Sequence, residues 1–118
     1  MVDLAGTWRF TELEGAQVKG RRRVTPWLTF DGDGQVFGLA GVNRVRGTWV
    51  LDGDALTFGP VVSTLMAGPP DAMACEQQVL RLLGEPVTVS APDDDTLVLD
   101  GVAPARLVRD PHAADRQV

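Results

Sequence analysis

One cysteine, one histidine and no tyrosine occur in the 118 residues. A single thiol, Cys75, rules out an internal disulfide and suits a reducing compartment. A single imidazole, His112, stands close to the end of the chain, far from any core position. Ser–His–Asp and Cys–His catalysis both need an imidazole set inside the domain, so both are excluded. A tetrahedral zinc set fails for the same reason, and neither a metal nor a cofactor is expected. Apolar runs are only a few residues long, too short to span a membrane. The opening Met1-Val2-Asp3-Leu4-Ala5-Gly6-Thr7-Trp8 has no basic n-region and no apolar h-region, which predicts a cytoplasmic protein. Positive charge is also scarce. A net charge of −5 argues against nucleic acid and acidic membrane surfaces as partners.

What is present is strand after strand. Residues 4–13 carry Leu4, Trp8, Phe10 and Leu13 among polar neighbours. Lys19-Gly20-Arg21-Arg22-Arg23 follows and reads as a solvated loop, since it has no interleaved aromatic residues. Trp27-Leu28-Thr29-Phe30 then runs through Asp31-Gly32-Asp33-Gly34 into a returning strand over 35–40, because Asp-Gly pairs favour tight turns. Trp49 and Leu51 face Leu56 and Phe58 across Asp52-Gly53-Asp54. A third hairpin places Val87-Thr88-Val89 against Leu97-Val98-Leu99, with Pro92-Asp93-Asp94-Asp95 between, and a last strand covers 105–108.

One helix interrupts the series. Pro70 suits a first helical position, Asp71 complements the dipole, and Ala72, Cys75, Val79 and Leu82 share a face widened by Leu80 and Leu83. Gly84 is the expected residue after the helix and Pro86 prevents its continuation. The expected fold is therefore α+β and mostly β: a strongly curved antiparallel sheet of about eight strands, a partial barrel, wrapped around a single α-helix. Residues 1–110 form the domain and 111–118 a flexible polar tail.

Few residues suggest chemistry. Asp31-Gly32-Asp33-Gly34 departs from a calcium loop, whose glycine comes sixth and whose glutamate comes twelfth, so it reads as a turn. Gly38-Leu39-Ala40-Gly41 lacks the helix that would hold a phosphate; its glycines permit a bulge or close packing. Trp8, Trp27 and Trp49 read as core aromatics and Cys75 as a buried thiol. A functional surface is placed at Asn43, Arg44, Ser63, Thr64 and Met66, where Arg44 can fork onto a carboxylate or phosphate. The competing reading gives Asn43 to the backbone of its own bend.

In order along the chain, several segments resemble the META domain family, also called HslJ-like. They are Gly6-Thr7-Trp8, Leu28-Thr29-Phe30-Asp31, Gly41-Val42-Asn43-Arg44 with Gly47, and Leu56-Thr57-Phe58-Gly59-Pro60. Ser63-Thr64-Leu65-Met66-Ala67 and Asp71-Ala72-Met73 continue the match. The resemblance implies a bacterial stress-associated protein, linked to heat shock, without an assigned reaction. The expectation is a non-enzymatic domain that binds a partner, as a monomer or weak dimer. One alternative is a carrier of a small apolar ligand or lipid on the concave face, lined by Trp27, Phe37, Leu39 and Met66. Another is an enzyme using only carboxylates and arginine, with Asp31, Asp33 and Arg44 as its groups. The resemblance also implies a cysteine pair where this chain has Val42 and Gly68. If the two positions meet, their Cβ atoms should lie about 3.5–4.5 Å apart, with Val42 buried.

Overall fold

A computed structural model describes residues 2–18 and 25–116. The arginine run at 21–23 lies outside the described residues. The chain forms β1 (Gly6–Leu13), β2 (Ala16–Gln17), β3 (Trp27–Phe30), β4 (Gln35–Leu39), β5 (Arg44–Asp52), β6 (Ala55–Phe58) and β7 (Val62–Ser63). Then come α1 (Pro70–Leu83), β8 (Val87–Asp93), β9 (Thr96–Asp100), β10 (Ala105–Arg109) and a 3-10 turn at Ala113–Arg116.

All strand pairings are antiparallel, and the ring closes. The order β10-β9-β8-β6-β5-β4-β3-β1 is completed by pairing of β1 with β10, where Trp8 faces Arg109 and Leu13 faces Ala105. The expected curved sheet is thus a closed eight-stranded barrel, with β2 and β7 as short additions. A register shift between Phe10 and Glu12 bends β1 where closure demands it. Eight strands leave an interior just wide enough for side chains to fill. Trp8, Phe10, Leu28, Phe30, Val36, Leu56, Leu97, Leu99 and Leu107 fill it, each nearly or wholly removed from solvent. The rings of Trp49 and Phe30 meet edge to face with their centres 5.6 Å apart.

The helix joins β7 to β8 at the barrel end where β1 finishes and β5 begins. Val79, Leu82 and Leu83 enter the main core from it. It lies so close to the β4–β5 connection that a Cβ on Gly41 would overlap the carbonyl oxygen of Ala72. Gly38 is likewise pressed against the backbone of Trp27. Both glycines therefore serve close packing. Pro70 occupies the first turn as expected, but Gly84 has φ −84 and ψ −10, so the helix ends without a left-handed residue. The expected flexible tail is in part docked: Ala113 is 6% exposed and packs with Trp27, Leu39 and Phe37.

Candidate functional site

The β4–β5 connection is held by a side chain that the helical pattern hides. Glu76 falls four residues after Ala72 and three before Val79, within the apolar stripe of α1, and is only 4% exposed. One of its carboxylate oxygens accepts the backbone N–H groups of Val42 (3.0 Å) and Asn43 (2.6 Å). The other accepts Asn43 Nδ2 at 2.8 Å. A carboxylate removed from water needs such donors in its place. Asn43, 2% exposed, also gives Nδ2 to the carbonyl of Met66 at 2.9 Å. Its Oδ1 accepts Thr64 Oγ1 (2.9 Å) and the N–H of Met66 (2.6 Å). Two donors and two lone pairs are all an asparagine amide has. Asn43 is saturated, so it ties three segments together and has nothing left for a ligand.

The same network builds an exposed groove above itself. Thr64 accepts the N–H of Arg44 at Oγ1 (3.1 Å) and gives its own N–H to the carbonyl of Arg44 (3.1 Å). Val62 pairs with Arg46 and Ser63 with Val45, so β7 continues the sheet beside β5. Side chains alternate across a strand, which puts Arg44 and Arg46 on one outer face. Phe37 lies opposite Arg46, and Leu39 opposite Arg44, on the other side. The result is a groove of about 390 Å³ on the outer face of β4, β5 and β7, lined by Phe37, Arg44, Arg46, Val62, Ser63 and Thr64 among others. Arg46 is fixed there: its guanidinium stands 5.2 Å from the Phe37 ring centre and Nη1 donates to Gln35 Oε1 at 3.1 Å. The guanidinium of Arg44 has no polar partner among the described residues. Among the described residues no carboxylate lines the groove.

Of the five residues placed at a surface from sequence, Arg44, Ser63 and Thr64 meet in this groove. Asn43 lies beneath it, and Met66 contributes backbone to the latch while its side chain is 56% exposed. Arg46 and Phe37 were legible as the next outward positions of their strands. Glu76 could have been found as the charge interrupting an apolar stripe.

Three residues of the alternative lining, Trp27, Leu39 and Phe37, do come together with Ala113, but on the outer side of the barrel and without the exposed side chain of Met66. The concave side is occupied by core side chains instead. Asp31 caps its own turn, accepting the N–H groups of Asp33 and Gln35 at 2.9 Å each. Arg44 sits at the opposite end of β4, roughly 13 Å of extended chain away. The carboxylate–arginine set of Asp31, Asp33 and Arg44 is therefore not brought together. Cys75 is half-buried, and burial, then the carboxylates of Asp71 and Glu76, push its thiol pKa up. That leaves little thiolate for nucleophilic work. No group of three or more metal-ligating side chains occurs among the described residues.

Val42 and Gly68 do meet. A Cβ built on Gly68 stands 3.3 Å from Val42 Cβ, slightly short of the expected range. Val42 is half-buried where burial was expected, because it sits at the rim between the β4–β5 connection and the segment leading to α1. A second, larger cleft of about 720 Å³ opens at the other barrel end beside Trp8, Asp54 and residues 93–95. Arg109 occupies its wall, 4.2 Å over the Trp8 ring and bonded to the carbonyls of Ala5 (2.8 Å) and Asp94 (3.3 Å).

The META domain family matches residues 2–114. Among solved structures, the chain is similar to a Burkholderia xenovorans protein determined by NMR, at 21% identity and a TM-score of 0.72. That match covers 91% of this chain and 83% of the other. A DUF4847 family protein from Bacteroides vulgatus is 13% identical, with a TM-score of 0.65 and coverage of 92% and 94%. A lipocalin-like protein from Bacteroides uniformis is 13% identical, with a TM-score of 0.59 and coverage of 91% and 98%. At these identities the structural likeness concerns the fold alone. Among curated proteins, none matches this chain.

Proposed function

The chain belongs to the META domain family, and on that premise we propose that it is a non-enzymatic binding domain whose groove takes an anionic group. One observation carries the reading: Arg44 and Arg46 project side by side into a groove lined by hydroxyls and apolar walls, in a protein of net charge −5. Guanidinium groups recognise carboxylate and phosphate through paired N–H donors. The Thr64 hydroxyl is spent on Asn43 and Arg44 and fixes the rim of the groove. Among the described residues no carboxylate, thiol or imidazole lines the groove to act as base or nucleophile, which supports binding over turnover. The lone half-buried thiol and the thiol-free Val42–Gly68 contact suit a reducing compartment, and we place the domain in the cytoplasm. A stress-associated role rests on the family likeness alone.

Isothermal titration with acetate and inorganic phosphate at low ionic strength tests the site. Arg44→Ala and Arg46→Ala should each weaken binding about tenfold, since each removes a charge-assisted contact of roughly 1.4 kcal/mol. Equal affinity in both variants would contradict it.

The carrier reading predicts an apolar molecule retained by the purified protein. The filled barrel interior weighs against it.

A further inference from the structure

Building on that reading of the groove, we infer that its ligand is an extended, acidic protein segment with carboxylates at every second residue. The spacing carries the inference. Arg44 and Arg46 lie two residues apart on one face of β5, so their Cα atoms repeat at about 6.7 Å. Acidic side chains at positions i and i+2 of an extended peptide repeat at the same distance and point to the same side. Two charge-assisted contacts therefore form without distortion in either chain.

The neighbouring strands fit the same occupant. β4 and β7 are hydrogen-bonded to either side of β5, so Phe37, Arg46 and Val62 form one cross-strand row on the outer face of the sheet. An extended segment laid along β5 passes Arg46 and Arg44 in turn. Phe37 on one side and Val62, 66% exposed, on the other flank Arg46, where they meet the methylenes of the peptide's acidic side chains. The β-branched residues between the acidic ones face away from the sheet and keep the peptide extended. Arg46 is held in place by Phe37 and Gln35 before any ligand arrives, which lowers the ordering cost of binding.

Fluorescence anisotropy with the full chain separates the possibilities. A labelled peptide of alternating Glu and Val is compared with one of the same composition whose glutamates stand three residues apart. The alternating peptide should bind at least about fivefold more tightly, and its binding should weaken with added salt. Arg44→Ala and Arg46→Ala should erase that preference. Arg46→Lys, which keeps the charge but loses the planar fork, should retain part of it. Thermal midpoints near that of the parent confirm that these exposed variants fold. Equal affinity for the two peptides, with arginine-dependent binding of inorganic phosphate intact, would overturn the peptide assignment and leave the anion site standing. Loss of both peptide and phosphate binding in the parent protein would remove the site itself.

Discussion

At Asn43 the sequence left two readings open, and the hydrogen bonds favour the structural one. Four bonds saturate the amide and leave it no free donor or acceptor. Asn43→Ala should destabilise the fold by about 2–4 kcal/mol, because the Glu76 carboxylate loses a donor and Met66 is left unpaired. Urea denaturation measures this directly. Phosphate affinity per folded molecule should fall far less than in the arginine variants. The asparagine was visible in the sequence; its saturation was not, since Met66 and Glu76 lie 23 and 33 residues away. Cys75 gives a prediction with a sign. Its folded pKa is raised, so the fold has full stability while the thiol is protonated in both states. Stability declines as pH rises through the unfolded thiol value, about 8.5, toward the raised one. Cys75→Ala should flatten that alkaline decline in a series of urea melts.

Among the elements, the hairpins and the helix were the most legible. Asp-Gly turns and alternating apolar positions placed β3 to β6 within a few residues, and Pro70 marked the start of α1. The helix face was read as uniformly apolar, and that missed Glu76. A charge within the stripe was the available signal, and its meaning lay in the connection packed against it. The contact between that connection and the segment before α1 is also where Val42 meets Gly68. A methyl added to Gly68 would overlap Val42 Cγ2. Gly68→Ala should therefore cost about 1–3 kcal/mol, and Val42→Ala in the same chain should recover much of it. The double change Val42→Cys with Gly68→Cys should close a bridge under oxidising conditions, adding roughly 3 kcal/mol by loop entropy. A melting temperature that does not rise on oxidation would show that the two Cβ vectors do not converge.

Over the whole molecule, closure was the part that sequence could not supply. Curvature and strand number followed from the repeated hairpins, but β1 and β10 lie nearly a hundred residues apart. Nothing local marks Phe10 as the partner of Leu107. Once closed, the barrel has its interior filled, and an ion pair between Arg9 and Asp110 at 3.1 Å lies beside the seam. On the proposed reading, binding takes place on the outside, where the groove of β4, β5 and β7 competes with the larger acidic cleft at the far end. Amide chemical-shift mapping of the isotope-labelled protein, titrated with inorganic phosphate, distinguishes the two in one experiment. The account predicts shifts concentrated at Phe37, Gly38, residues 44–46 and residues 62–64. Shifts concentrated instead at Trp8, Asp54 and residues 93–95, with the groove unchanged, would contradict it.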